Sequence, residues 1–193
     1  MPPGVDELTV LPFRKGLKNK KTALYFGSMR RRGMIPAIIE LFSKLNGWEL
    51  ILVGQKEGEK IEEKKNVKYL GVVSHERLPD IIKEVDVILI PLPKYKYLDK
   101  AMHIKLGYAL QSCRPIIVSK LKGVSDYVSI VGLENNVIYV EEWNLKNLEH
   151  ALRKAQKLDI DPKKTIERLK PMLWEPRFKK AIEIALNITQ RSQ

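Results

Sequence analysis

Ala23-Leu-Tyr-Phe-Gly-Ser-Met-Arg-Arg-Arg-Gly-Met-Ile-Pro-Ala-Ile-Ile-Glu-Leu-Phe42 changes its hydrophobic period at its glycines. Its opening Ala23-Leu-Tyr-Phe26 is a continuous apolar run, as in a strand buried on both faces. Beyond Gly33, Ile35, Ile38, Ile39, Phe42 and then Leu45 fall on one face of a helix. Pro36 sits in the first turn, where a missing N–H does no harm, and Asn46-Gly47 closes the helix. A strand, a glycine-bounded basic loop and a helix therefore follow one another.

The chain repeats that rhythm. Trp48-Glu-Leu-Ile-Leu-Val53 reads as a strand ending at Gly54, and Val67-Lys-Tyr-Leu70 as a short one ending at Gly71. Ser74 is expected to cap a helix running to about residue 84, with Leu78, Ile81, Ile82 and Val85 inward. Asp86-Val-Ile-Leu-Ile90 is a strand stopped by Pro91. A loop with Tyr95, Tyr97 and Lys100 leads to a helix over 103–112. Strands over 115–119 and 136–140 follow, then a helix opened by Asn144 that carries Leu145, Leu148, Leu152 and Ala155. Helical stretches around 166–172 and 178–188 finish the chain. Apolar strands alternating with helices, without a tight hairpin, imply an α/β, Rossmann-like, doubly wound sandwich. About six parallel strands are expected, with helices on both faces and a C-terminal helical extension. One domain is expected over 1–193: a basic, linker-like leader to 21, a core over 22–172 and a terminal helix from 173.

Composition narrows the function classes. No apolar run approaches the roughly 20 residues of a membrane span. The opening Met-Pro-Pro-Gly-Val-Asp has no basic segment followed by an apolar one, so it does not read as a signal peptide. The single cysteine, Cys113, excludes an internal disulfide and a multi-cysteine metal site. A cytoplasmic setting is expected. The formal charge of +12 suits nucleic acid, an anionic membrane or phosphate-bearing ligands. It also suits the Lys/Glu/Ile-rich surface style of hyperthermophile proteins, which accounts for most of it here. Arg30, Arg31 and Arg32 are the expected exception.

In an open parallel sheet, ligands bind outside the carboxyl ends of the strands, near the switch in strand order. That rule selects 27–33, Gly54, 71–74, 91–105 and 119–123. The strongest local feature is Gly27-Ser-Met-Arg-Arg-Arg-Gly33. Glycines allow close backbone approach, a helix start offers unpaired N–H groups, and arginines match phosphate oxygens. The segment reads as a diphosphate cradle, against the plainer alternative of a turn carrying a solvated basic cluster. It is not a GxGxxG fingerprint, so a nicotinamide or flavin dinucleotide is not expected. His75, His103 and His150 lie in separate segments without metal-ligand spacing and read as surface or helix-end residues, His103 alone near the site. Cys113 reads as a buried small hydrophobe. Tyr95 and Tyr97, interleaved with Lys94 and Lys96, read as a mobile loop beside the ligand site, or as a nucleic-acid strip.

Five motifs, in order, resemble the C-terminal, nucleotide-sugar donor domain of family 4 (group 1) glycosyltransferases of the GT-B type, over nearly the whole chain. Pro2-Pro-Gly-Val-Asp6 resembles the linker Pro-Asn-Gly-Val-Asp. Tyr25-Phe-Gly-Ser-Met-Arg-Arg-Arg-Gly33 resembles a strand–loop reading Val-Gly-Arg and then Lys-Gly. Leu70-Gly-Val-Val-Ser74, with Leu78-Pro79, resembles Leu-Gly-Phe-Val-Ser and its helix. Ile104-Lys-Leu, Tyr108 and Ser112-Cys-Arg-Pro-Ile-Ile117 resemble Lys-Leu-x-Glu-Tyr-Leu-Ala-x-Gly-x-Pro-Val-Val. Leu173-Trp-Glu175 resembles Ser-Trp-Glu before the last helix.

The resemblance implies transfer of a sugar, with retention, from a nucleotide diphosphate sugar, usually without a protein-held metal or other cofactor. It implies donor contacts at Gly27, Ser28, Arg32, Gly33, Val72, Val73, Lys100, Lys105 and Tyr108, with no catalytic residue assigned. Arg32 stands where the family's diphosphate-binding basic residue lies, backbone at Val72 and Val73 would hold the base, and Lys105 would lie near the phosphates. Ser28 replaces an arginine. Lys100 and Tyr108 fall where the family has its sugar-facing and ribose-facing glutamates. The implied partners are the nucleotide sugar, an unidentified acceptor, an N-terminal GT-B domain or partner chain, and a membrane surface touched peripherally. Nucleic acid is not expected. The alternative is a diverged, non-catalytic nucleotide-binding or scaffolding module of the same fold.

Overall fold

Side chains of successive strand residues point to opposite faces, and the first strand shows what each face packs against. In β1 (Lys21–Phe26), Leu24 and Phe26 enter one apolar cluster while Ala23 and Tyr25 enter the other. The same alternation divides Ile88 and Ile90 from Val87 and Leu89 in β6 (Val87–Ile90). This computed structural model describes residues 21–30, 34–58, 64–101 and 104–191, without the side chains of Arg30 and of 184–191.

The other strands of the main sheet are β3 (Trp48–Val53), β5 (Val67–Tyr69), β7 (Ile116–Ser119) and β8 (Val137–Val140). Their spatial order is β5-β3-β1-β6-β7-β8, with every pair parallel. The chain therefore steps outward from β1 to β5, returns beside β1 at β6, and steps outward the other way. The switch in order lies between β1 and β6, and the crevice at their carboxyl ends is where such sheets take ligands.

Helices cover both faces, as expected. On the Tyr25 face lie α1 (Ile35–Ser43), buried through Ile35, Ile38, Ile39 and Phe42, and α6 (Leu145–Ala155), buried through Leu148, Ala151, Leu152 and Ala155. The Asn144 side chain caps α6 by accepting from Asn147 N–H at 2.9 Å. The Phe26 face carries α2 (Leu78–Lys83), α4 (Ile104–Gln111), α5 (Lys122–Val131) and α7 (Pro162–Leu169). The final helix, α8, spans Trp174–Arg191.

Several local expectations need correction. Ser74 does not cap α2: its carbonyl accepts from Arg77 and Leu78 N–H, and the helix starts a turn later. A short helix, α3 (Lys96–Asp99), occupies the segment read as a loop. The helix α5 was not anticipated, and α7 starts at Pro162, a turn before the expected stretch around 166–172. Two short strands, β2 (Met29–Arg30) and β4 (Lys56–Glu57), form a separate parallel pair beyond the main sheet. The leader to residue 20 lies outside the described residues.

Two buried residues tie α4, β7 and α2 together. Cys113 takes φ 51°, a left-handed turn, where the motif quoted above carries glycine. Arg114 is fully buried, and donates from Nε to Ile82 O at 3.3 Å and from Nη2 to Lys83 O at 2.8 Å. It thereby supplies donors to carbonyls at the end of α2, where Ile82 O also accepts from Val85 N–H. Burial pushes its guanidinium pKa down.

Candidate functional site

Three neighbouring strands, β1, β3 and β5, run into glycine at their carboxyl ends. Gly27, Gly54 and Gly71 have φ of 118°, 136° and 77°, conformations that side chains disfavour. Their peptides join sideways: Gly27 N–H donates to Val53 O and Gly54 N–H to Gly71 O, both at 2.8 Å. A Cβ on Gly54 would come within 2.1 Å of Gly27 O, so backbone packs against backbone along this rim.

The rim borders the first of two cavities. It encloses about 290 Å3 and is lined by Phe26, Gly27, Val53, Gly54, Val72, Val73, Ser74, His75, Leu78, Ile104, Lys105 and Tyr108. Most of this wall is apolar or backbone, with His75 meeting Tyr108 edge-on at 5.9 Å between ring centres. The second cavity, about 360 Å3, opens at the switch point. Its lining is Tyr25, Ser28, Met34, Ile35, Pro91, Leu92, Pro93, Tyr95, Tyr97, Leu98 and Lys105.

Lys105 belongs to both walls. It starts on α4, which packs on the Phe26 face, and crosses the end of β1 to reach the Tyr25 face. Gly27 permits the crossing, since a Cβ there would meet Lys105 Cε and Nζ at 2.4 Å. Lys105 Nζ then donates to Tyr25 Oη at 3.0 Å and lies 4.7 Å from the ring centre. Tyr25 Oη donates onward to Ser28 O at 2.7 Å, and Ser28 Oγ to Glu57 Oε1 at 2.6 Å. Burial, with the Glu57 carboxylate adding to it, pushes the Tyr25 hydroxyl up to about 12.

The floor beyond the second cavity is held by Ser119, at the end of β7. Its hydroxyl donates to Leu92 O and accepts from Leu92 N–H, both at 2.7 Å, and accepts from Trp143 Nε1–H at 2.8 Å. Next along, Tyr95 and Tyr97 stack on each other with ring centres 5.7 Å apart. Asp99 accepts from Lys122 N–H at 3.0 Å, and Gly123 lets α5 approach the backbone of Ala101.

Of the residues anticipated as donor contacts, Gly27, Val72, Val73, Lys105 and Tyr108 come together in the first cavity. Ser28 joins Lys105 in the second. Lys100 is exposed and lines neither. Arg32 and Gly33, like His103, lie outside the described residues. Tyr25 and His75 are more central than the sequence suggested, while the anticipated 91–98 segment lines the second cavity. Among the described residues, no group of three His, Cys, Asp or Glu side chains is placed to hold a metal ion. No helix among them is long and apolar enough to cross a membrane.

The family model for group 1 glycosyl transferases matches residues 20–157, most of the chain and all six strands of the main sheet. This chain belongs to the group 1 glycosyl transferase family. Solved structures agree with the fold expected of that family. Sucrose-phosphate synthase from Thermosynechococcus elongatus aligns over 98% of this chain and 52% of its own, with a TM-score of 0.68 at 15% identity. The lipopolysaccharide outer core galactosyltransferase WaaB aligns over 96% of this chain and 54% of its own, with a TM-score of 0.68 at 14% identity. WaaG, a glycosyltransferase involved in lipopolysaccharide biosynthesis, aligns over 89% and 50%, with a TM-score of 0.59 at 18% identity. This group 1 chain thus spans about half the length of these similar structures. No curated protein matches its sequence.

Proposed function

We propose that this chain is the donor-binding half of a retaining glycosyltransferase. The nucleoside occupies the first cavity, with the base along Val72 and Val73 and the ribose toward Tyr108. The diphosphate crosses at Lys105 and the start of α1, and the sugar enters the second cavity. An N-terminal domain or partner chain presents the acceptor hydroxyl. As the bond from the anomeric carbon to the diphosphate breaks, charge builds on the departing oxygen, and a fixed ammonium stabilises it. The observation that carries this reading is the sharing of Lys105 by the two cavities. Met34 and Ile35, at the start of α1, line the second cavity, where the helix start can face an anion. This reading places the protein in the cytoplasm, with its +12 surface able to touch an anionic membrane.

Calorimetric titration with UDP, GDP and ADP, each beside its nucleoside, tests the assignment. At least one diphosphate should bind, and Lys105→Ala should weaken it about tenfold or more without changing the nucleoside. Silence toward all three diphosphates would refute the donor reading.

One observation favours a second reading, a module that binds nucleotide without transferring sugar. Tyr108 and Lys100 stand where the family's two glutamates fall, and a phenol offers the ribose hydroxyls less acceptor capacity than a carboxylate. Tyr108→Glu should then tighten binding of the ribonucleotide more than of its 2′-deoxy analogue. Equal effects on both would dismiss that account of Tyr108.

A further inference from the structure

Lys105 faces a steric and an energetic problem. An ammonium on a four-carbon stem has several rotatable bonds and loses considerable entropy when fixed in one place. Tyr25 and Lys105 are 80 residues apart; the Tyr25 side chain points to one face of the sheet, and Lys105 comes from α4 on the other. They meet only because Gly27 leaves the end of β1 without a side chain. The stem is confined on one side by Gly27, and its tip on the other by the Tyr25 ring and hydroxyl.

We propose that Tyr25 is a positioning residue, whose hydroxyl holds the Lys105 ammonium at the wall between the two cavities. This deepens the donor-site reading and rests on it. The hydroxyl is suited to the task because it is itself fixed. It spends its proton on Ser28 O at 2.7 Å, which turns a lone pair toward Lys105. Its raised pKa, about 12, keeps the proton in place at neutral pH. A carboxylate at this spot would hold the ammonium by charge and compete with a diphosphate. A neutral phenol orients the ammonium without adding a competing charge of its own. Tyr25 also lines the second cavity, so its ring limits the space beside the diphosphate on the sugar side.

The test is a double-mutant cycle on the whole chain, with Tyr25→Phe, Lys105→Ala and the double variant, each titrated with UDP, GDP and ADP and the matching nucleosides. Phenylalanine keeps the buried ring and removes only the hydroxyl. The wild type should lose about three- to tenfold in diphosphate affinity on Tyr25→Phe. The same change in the Lys105→Ala background should cost nothing, and nucleoside affinity should stay constant throughout. A thermal melt of each variant reads folding separately. Two results overturn the proposal alone: a Tyr25→Phe chain that binds diphosphate as tightly as the wild type, or an equal loss with and without Lys105. A wild type that binds no diphosphate overturns this proposal and the donor reading together.

Discussion

Tyr25 carries a consequence for alkaline stability. An isolated tyrosine releases its proton near 10, whereas the buried hydroxyl holds it to about 12. Between those values the unfolded chain binds fewer protons than the folded one, so stability falls as pH rises through that window. Below pH 10 the contribution is fully present. Tyr25→Phe should therefore flatten the decline in unfolding free energy between pH 10 and 12. An unchanged slope would assign the decline to other groups. The residue itself was hard to find from sequence. Tyr25 sits in an apolar run that reads only as core, and its partner is 80 positions away. Lys105 was legible, because Lys105-Leu106 with Pro115-Ile-Ile117 downstream is a local string that matches the family motif. His75 reads as a surface residue and is one, but its placement against Tyr108 comes from the turn that ends β5, which no periodicity reports.

Among the elements, α1 and α6 were legible because apolar residues at helical spacing coincide with start and stop signals. The helix α5 was not, although Val124, Tyr127, Val128 and Val131 fall on one buried face. Its Lys122-Gly-Val-Ser-Asp-Tyr-Val-Ser-Ile-Val131 run is rich in glycine, serine and β-branched residues, whose helix propensity is poor. Burial against the sheet decides the conformation there. The sequence likewise placed α2 a turn early, since Ser74 resembles a cap while Pro79 fits the first turn of a later start. What fixes the other end of α2 is Arg114. Arg114→Met keeps much of the side-chain volume but removes the donors to Ile82 O and Lys83 O, and should destabilise the fold by about 1–2 kcal/mol. Denaturant unfolding should show a lower midpoint with an unchanged slope. A midpoint equal to the wild type would mean that those carbonyls find water instead.

At the scale of the whole molecule, charge and completeness decide behaviour. The net charge of +12 gives a diffuse attraction for any polyanion, which salt screens over a length of about 10 Å at 0.1 M. A held diphosphate feels a fixed ammonium at short range, and salt weakens it less. Raising ionic strength should therefore abolish binding of a short single-stranded oligonucleotide while nucleoside diphosphate binding persists. The opposite ranking would favour the nucleic-acid reading of the surface. On the donor-binding reading, the chain alone should also transfer no sugar from a nucleotide sugar, because the acceptor is held elsewhere and the ordering of two reactants is lost. Transfer by this chain alone would mean that the cleft needs no second domain. The glycine rim has a consequence for anyone who wishes to breed a new donor preference. Gly54 leaves no room for a side chain, and one at Gly27, where φ is 118°, would be strained and would displace Lys105. A mutagenesis library spread over the whole cleft therefore wastes its diversity there. The variable ground is the segment from Val72 to His75 and the one from Pro91 to Leu98, which border the cavities with side chains. Randomising those two loops around an untouched glycine rim keeps the anchor while the recognised group is exchanged.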